Sequence, residues 1–172
     1  VSQMQLLGCC MDLSHAYKQM AGSPGHQRFG VICTFNHLAK TLERRLAYAL
    51  GFGASSGVYS CNRVFRCVDY ILSYLFFLVL GNYFDDYPMI ELAETATSAA
   101  STFVTVLGLI GFDVKRDASA TTSGPAGSDL VYPSPESSFV ALGVSLELDS
   151  AFSHSQVVVS HKPGRIDDLL VD

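Results

Sequence analysis

Two adjacent carboxylates within an apolar, aromatic segment constrain this chain more than any other feature. Asp85 and Asp86 lie between the apolar runs 78–80 and 89–90. Because both runs are short, rich in β-forming residues and without a helical period, they predict two strands joined by a tight turn. Asp-Asp is also ordinary turn chemistry. Two neighbouring carboxylates repel each other unless a cation lies on them, so the pair indicates either a simple turn or a cation site.

A second apolar run, near the start of the chain, also ends in a carboxylate. Residues 4–12 predict a central strand, and Asp12 is its last residue. A carboxylate at a strand's end can share cations with a carboxylate hairpin on a neighbouring strand. Two divalent metal ions about 4 Å apart, held by shared carboxylates, are the usual apparatus of nucleotidyl transfer. Mg²⁺ suits this role because it prefers oxygen ligands and leaves positions for substrate phosphates.

The remaining segments predict an α+β fold, an antiparallel sheet with two helices packed on one face. The predicted helices are 57–77 and 91–109, and further strands are predicted at 28–36, 139–148 and 156–160. The last two strands are expected to form a hairpin. Residues 41–50 fit either a helix or a hairpin strand, and 117–138 have the composition of a loop. The core stripe expected on the first helix is Val64, Val68, Ile71, Leu72 and Leu75.

Charge and cysteine content limit the partners and the compartment. The net charge of the chain is −5, but the segment from Leu13 to Cys67 contains seven basic residues and only one acidic residue. We therefore expect phosphate contacts to come mostly from the first half of the chain. The five cysteines lack C-x-x-C spacing, which disfavours zinc and disulfides and predicts free thiols in the cytoplasm or nucleus. The most apolar run, 70–80, is too short to span a bilayer, so no membrane partner is expected.

Five segments, in order, resemble the motifs of reverse transcriptases, the RNA-directed DNA polymerases. Residues 12–19 (DLSHAYKQ) resemble the first motif, and Tyr83–Asp86 (YFDD) resembles the third, Y-x-D-D. The other three segments are 50–59, Leu107–Gly108 with Lys115, and 139–144. Together they cover roughly residues 6–146 in the family's order. The third segment is also similar to the "YFDDYP" stretch of retrotransposon enzymes in eukaryotic microbes.

The resemblance implies a polymerase palm over residues 1–160, with a fingers remnant within 21–50 and a truncated thumb at 161–172. The implied reaction adds a deoxynucleoside monophosphate to a primer 3′-end on an RNA or DNA template. Two Mg²⁺ ions, or Mn²⁺ in their place, would both be held by Asp12 and Asp85, with Asp86 as a supporting or second carboxylate and the carbonyl of Leu13 as an extra ligand. The catalytic residues would be Asp12, Asp85 and Asp86, with Lys115 protonating the departing pyrophosphate. Arg116 releases its proton too reluctantly for that task.

The resemblance also implies which residues contact the deoxynucleoside triphosphate and the nucleic acid. Tyr17 would lie under the incoming sugar and exclude a 2′-hydroxyl. Leu13, Phe52, Gly53 and Tyr83 would complete the nucleotide site, where small residues allow close backbone approach. The nucleic-acid contacts are assigned to Arg63, Arg66, Leu142 and Gly143.

Departures from the family pattern keep two alternatives open. Gly51 replaces the usual proline of the second motif, and Gly57-Val58 replaces its usual Ala-Pro. A catalytically silent palm that serves nucleic-acid binding or assembly is therefore one alternative. An RNA-dependent RNA polymerase palm is the other, disfavoured by Tyr17. We expect the chain to be a segment of a larger polyprotein, inactive without its fingers, its thumb and any ribonuclease H.

Overall fold

The structure is a computed structural model that describes residues 4–51, 55–116, 132–162 and 164. Within these ranges the chain forms seven strands, two α-helices and two 3-10 helices. The strands are β1 (Leu6–Asp12), β2 (Val31–Asn36), β3 (Thr41–Leu46), β4 (Asp86–Leu92), β5 (Ser138–Ala141), β6 (Val144–Glu147) and β7 (Val158–His161). The helices are α1 (Ser55–Leu75) and α2 (Ala93–Leu109), with 3-10 turns at Ala16–Gln19 and Pro24–Phe29. The predicted α+β class is confirmed. None of the helices in these ranges is long and apolar enough to cross a membrane.

The chain divides into two compact units, and the division falls inside α1. One unit is His15–Val64, and the other joins Val1–Ser14 to Phe65–Asp172. The first unit contains the antiparallel hairpin β2–β3, in which Val31 pairs with Leu46 and Asn36 with Thr41. The alternative left open for residues 41–50 is thus settled as a hairpin strand over Thr41–Leu46. The proposed boundary between a palm and a fingers remnant stays a prediction.

The second unit is organised on the antiparallel pair β1–β4. Their register runs from Leu6↔Leu92 to Asp12↔Asp86. Because side chains alternate between the faces of a strand, Met11 and Tyr87 share one face, and both are fully buried. Tyr87 meets the ring of Phe103 in α2 edge to face at 5.1 Å, and its hydroxyl donates to the Phe65 carbonyl in α1 at 3.3 Å. Both helices therefore pack on this face.

The opposite face of β1–β4 carries a smaller core. Phe139, Ala141 and Leu148 are buried there. Partly buried apolar side chains that pack against them are Leu6, Cys10, Ile90 and Leu146. The amide of Gly8 donates to the Glu136 carbonyl at 2.8 Å, and the Glu136 amide donates back to Gly8 at 2.9 Å. These bonds hold the segment that leads into β5 against β1. The predicted single sheet is instead three small sheets in the described residues: β1–β4, β2–β3 and β5–β6–β7.

The predicted core stripe of α1 is partly wrong. Val68 and Leu72 are buried, but Val64 is 40% exposed and Leu75 is 61% exposed. The buried positions are Cys61, Phe65, Val68 and Leu72. A helix turns about 100° per residue, so Val64, next to buried Phe65, points away from the core.

The predicted start of the second helix is also wrong by two residues. Glu91 and Leu92 still pair with β1 as part of β4, and α2 begins at Ala93. Glu91 Oε1 accepts a hydrogen bond from the Val79 amide at 2.8 Å, which ties the strand to the preceding segment. Sheet pairing therefore overrides the local helical tendency of these two residues. Of the residues predicted to point inward from this helix, Leu92 is 40% exposed, and the others are buried: Ala96, Ala99, Phe103, Val106 and Leu107.

The segment predicted as one strand from 139 to 148 is two strands. β5 and β6 pair with each other, and Ala141 faces Val144 across a two-residue loop. The loop residues Leu142 and Gly143 both have positive φ, 52° and 79°. This is the geometry that matches the twist of a tight hairpin. β7 then adds to β6 as the third strand.

The left-handed backbone of Leu142 offers a test of this turn. We expect Leu142→Asn to raise the free energy of unfolding by about 1 kcal/mol, because Asn tolerates this conformation better than Leu. The Leu142 side chain is exposed, so the substitution sacrifices little burial. Urea denaturation measures the change. Val140→Asn, at an exposed position within β5, is the control; equal stabilisation by both substitutions would refute the backbone explanation.

Candidate functional site

The acidic segment forms the predicted hairpin turn. Leu80 bridges to Met89 and Tyr83 bridges to Asp86, each in antiparallel fashion. The Tyr83 amide donates to the Asp86 carbonyl at 2.9 Å, and the Asp86 amide donates back at 3.1 Å. Phe84, with φ 56°, and Asp85 occupy the centre of the turn. The predicted turn is confirmed, with Asp86 as the first residue of β4, but the strand predicted at 78–80 is wrong: of that run only Leu80 pairs, in its isolated bridge to Met89.

The register of β1 and β4 brings the other carboxylate to the same place. Asp12, the last residue of β1, is the direct partner of Asp86. Directly paired residues of antiparallel strands project from the same face, with Cα atoms about 4.5–5.5 Å apart. Beyond the pair, the Leu13 amide donates to the Asp85 carbonyl at 3.2 Å. The aspartates predicted from separate motifs therefore lie together at one end of this sheet.

Lys115 joins the aspartates through a short main-chain pairing. Leu13 bridges to Val114, and the Lys115 amide donates to the Asp12 carbonyl at 2.7 Å. The Lys115 ammonium Nζ also donates to Asp12 Oδ2 at 2.8 Å. All four residues predicted as catalytic are thus brought into one cluster, although they lie up to 103 positions apart in the chain.

The charges of this cluster are unbalanced. Burial raises the pKa of the Asp86 carboxyl, and the charges of Asp12 and Asp85 raise it further, while Lys115 partly offsets them. The hydrogen bond to Asp12 raises the pKa of the Lys115 ammonium, with the nearby aspartates adding to the effect. One ammonium cannot neutralise three carboxylates. Additional positive charge would therefore relieve repulsion here.

The donor atoms of the cluster suit a hard divalent cation, because carboxylate oxygens are the ligands that Mg²⁺ prefers. The paired Asp12 and Asp86, with the raised pKa of Asp86, indicate a place where such a cation would be electrostatically favoured. However, within residues 4–51, 55–116, 132–162 and 164, no group of three or more His, Cys, Asp or Glu side chains is arranged to hold a metal. In this conformation an oxygen of Asp12 is bound to Lys115 instead.

The sequence prediction missed Cys10, which shares the face of Asp12 and Asp86. This position could have been predicted from the sequence, because Cys10 is two positions before Asp12 and side chains two positions apart lie on the same face of a strand. Burial raises the pKa of the Cys10 thiol to about 11, with Asp86 and Asp12 contributing. Cys10 therefore stays a neutral thiol at pH 7 and fills space rather than acting as a nucleophile.

A cavity of about 340 Å³ adjoins the cluster, and sequence reasoning missed it too. Its lining residues are Ser14, Asp113, Val114, Arg116 and Tyr132. The Ser14 amide donates to the Asp113 carbonyl at 2.9 Å, which places the cavity next to the Leu13–Val114 bridge. Tyr132 comes from a segment distant in sequence, so no local pattern could have indicated this cavity.

The remaining predicted site residues are dispersed. Tyr83 lies in the turn itself, exposed, with its ring edge to face with Phe84 at 4.9 Å. Tyr17 belongs to the unit His15–Val64 and is half-buried in the 3-10 turn Ala16–Gln19. Arg63 and Arg66 have exposed side chains on α1. Leu142 and Gly143 form the β5–β6 turn, and Phe52 and Gly53 lie outside the described residues.

Comparison with known proteins adds no family assignment to this geometry. No protein-family model matches the chain, and no curated protein matches it in a sequence search.

Proposed function

We propose that this chain is the catalytic palm segment of a reverse transcriptase, which adds deoxynucleoside monophosphates to a primer 3′-end. The observation that carries the proposal is the direct pairing of Asp12 with Asp86 at the end of β1–β4. Asp85 lies in the adjoining turn, and Lys115 is bound to Asp12. These four residues come from three of the five motif-like segments, and a chance match of short motifs gives no reason for them to meet.

In this proposal Asp12, Asp85 and Asp86, with the carbonyl of Leu13, would hold two Mg²⁺ ions, for which Mn²⁺ could substitute. Bound ions of this kind lower the pKa of an attacking hydroxyl and stabilise charge on the reacting phosphate. The chain's own residues fix the place of the reaction, because the β1–β4 register sets the separation of Asp12 and Asp86. Burial raises the pKa of Asp86, and the negative charges of Asp12 and Asp85 raise it further; this repulsion among the carboxylates favours cation uptake.

Lys115 supplies a proton to the leaving pyrophosphate in the same proposal. Its pKa is raised by Asp12, so the side chain carries its proton at neutral pH. Its side chain is 67% exposed and can reach a substrate that approaches from solvent. Lysine suits this role better than Arg116, because a guanidinium holds its proton too strongly.

The distribution of basic side chains supports a nucleic-acid partner for the unit His15–Val64. Its basic residues all have exposed side chains: Lys18, Arg28, Lys40, Arg44, Arg45 and Arg63. Glu43 is the acidic residue of this unit, and it is bound to Arg45 at 2.8 Å. An excess of exposed basic charge on one unit of an acidic chain is the pattern expected for phosphate contacts.

A catalytically silent palm is the second candidate function. It is favoured by the Lys115–Asp12 ion pair and by the lack, in the part of the chain that the structure describes, of an assembled metal-binding group. Such a palm would bind nucleic acid or partner subunits without turnover. The two candidates differ in whether the aspartate cluster takes up divalent cations.

Metal binding and primer extension together test the proposal. We expect Mn²⁺ electron paramagnetic resonance titration of the 172-residue chain to detect binding that is lost in Asp85→Asn and kept in Asp113→Asn. Asp113, exposed near the cluster, is the matched control. Primer extension should require a longer polypeptide that supplies fingers and thumb. Cation binding without any extension by that longer protein would favour the silent palm, and equal binding by the two variants would reject the metal site.

A further inference from the structure

We propose that Lys115 and the divalent cation compete for Asp12, so that the proton donor is released only when the metal site fills. The inference rests on the proposed function, since it concerns the same aspartate cluster. It adds a regulatory coupling between the proton donor, Lys115, and the metal site at the aspartates, which the motif resemblance treats as independent.

The contact between Lys115 and Asp12 has two parts. The Lys115 amide is bound to the Asp12 carbonyl at 2.7 Å, and the ammonium is bound to Asp12 Oδ2 at 2.8 Å. The main-chain bond anchors the base of the lysine beside β1 whatever its side chain does. The side chain is 67% exposed, whereas Asp12 is only 30% exposed. Asp12 is therefore the fixed partner, and the lysine is free to leave into solvent.

The ammonium and a metal ion cannot use Asp12 in the same way. A carboxylate oxygen that accepts an ammonium hydrogen bond directs its electron density at that ammonium. Mg²⁺ binds such oxygens at about 2.0–2.1 Å and demands near-ideal octahedral geometry. A positive group held against the same carboxylate both blocks one approach and repels the ion. A metal ion on this carboxylate would therefore weaken the Lys115–Asp12 ion pair by repulsion, and an ion that binds Oδ2 would replace the ammonium there.

The role of the Lys115 ammonium differs between the aspartate cluster without a cation and the cluster with one. In the empty cluster Lys115 offsets part of the repulsion that Asp12 and Asp85 exert on Asp86. In a filled cluster a bound cation would offset that repulsion instead, and the Lys115 side chain, which is 67% exposed, would be released toward solvent. The proton donor is thus held out of action until the cation is present.

Calorimetry with Mg²⁺ as the titrant measures the competition directly. We expect Lys115→Met to bind Mg²⁺ about two- to fivefold more tightly than the unaltered chain, the range set by a partly exposed ion pair. Lys115→Arg keeps a cation that can pair with Asp12 and should not tighten binding. Arg116→Met removes an equal charge from the wall of the neighbouring cavity and controls for the long-range effect of charge. Its effect should be clearly smaller than that of Lys115→Met.

Nuclear magnetic resonance of the lysine side chains gives a readout that needs no activity. The chain contains four lysines, at positions 18, 40, 115 and 162, so ¹³C-labelled lysine yields few ε-methylene signals to assign. Addition of Mg²⁺ should move the Lys115 signal toward the position it has in Asp12→Asn, in which the ion pair is weakened. The signals of Lys18 and Lys40 should stay in place.

The outcomes separate this inference from the proposed function. Tighter Mg²⁺ binding by Lys115→Met, together with movement of the Lys115 signal, supports the competition. Mg²⁺ binding of equal strength by the unaltered chain and Lys115→Met, with a stationary Lys115 signal, overturns it and leaves the metal site intact. If neither protein binds Mg²⁺ at millimolar concentration, the metal site and the competition are both rejected.

Discussion

Asp86→Asn is expected to abolish primer extension by a longer polypeptide that contains this chain, with a loss of about a thousandfold or more. Asp86 is the direct partner of Asp12, and the proposal assigns both carboxylates to the same pair of cations. An amide supplies one neutral oxygen in place of two charged ones, so it cannot hold a divalent ion against solvent as a carboxylate does. Steady-state extension of a DNA primer on an RNA template measures the loss.

The same substitution is expected to stabilise the fold at pH 7. The pKa of Asp86 is raised in the folded chain, first by burial and then by Asp12 and Asp85. A carboxyl with a raised native pKa binds its proton more strongly when folded, so the free energy of unfolding falls as pH rises through that range. Asn carries no charge and avoids this cost. The gain from Asp86→Asn should be present at pH 7 and vanish below the ordinary carboxyl pKa of about 4.

Urea denaturation at pH 7 and at pH 3.5 separates this effect from a general change in packing. Asp113→Asn makes the same chemical change at an exposed carboxylate, so it should retain primer extension and should not show the gain in stability at pH 7 that vanishes at pH 3.5. A variant that is inactive yet more stable than its parent is the signature of a site whose charges are kept for function. Retention of extension by Asp86→Asn would remove Asp86 from the catalytic group.

The sequence predicted the structure best where a local pattern of apolar residues lies next to candidate catalytic residues. The apolar runs that end in Asp12 and follow Asp86 correctly indicated β1 and β4, and the turn at Asp85 was also predicted, because alternating burial and turn residues act over a few positions. The strand predicted at 78–80 is wrong, since only Leu80 pairs there, in an isolated bridge to Met89. The convergence of the aspartates with Lys115 came from motif order, and periodicity alone could not have brought residue 115 to residue 12. The competition between Lys115 and a cation depends on a 2.8 Å contact that no sequence pattern encodes.

The errors in the predicted helix start, core stripe and strand share a physical cause. Where the local sequence allows two conformations or two buried positions equally well, strand pairing and packing select one of them. Glu91 has the local signals of a helix start, yet pairing with Leu7 keeps it in β4. Val64 and Phe65 are both apolar, and packing selects Phe65 for the core. Leu142 is an ordinary strand residue by type, but the β5–β6 pairing requires a positive φ at its position. For Glu91 the deciding partner, Leu7, is distant in sequence, whereas for Leu142 it is the pairing of Ala141 with Val144 on either side of the turn.

Gly8→Ala is expected to produce the largest loss of stability among single-methyl additions to the described glycines. A Cβ at position 8 would overlap the ring of Phe139, which is buried beneath β1. Phe139 forms a core with Ala141 and Leu148, and Leu6 and Cys10 on β1 pack against it. The added methyl must push the ring or the strand aside, at a cost of about 1–3 kcal/mol typical of overpacked cores. Equilibrium urea denaturation gives the change in the free energy of unfolding.

Two further variants show whether the ring contact causes that loss. Gly108→Ala adds the same methyl in α2, where the new Cβ meets no atom within 4 Å, so it should raise the free energy of unfolding by about 0.4–1 kcal/mol. Phe139→Leu combined with Gly8→Ala should destabilise less than the sum of the two single changes, because the smaller side chain leaves room for the methyl. Strict additivity of the pair would mean that the cost at position 8 lies in the β1 backbone and not in its packing against Phe139.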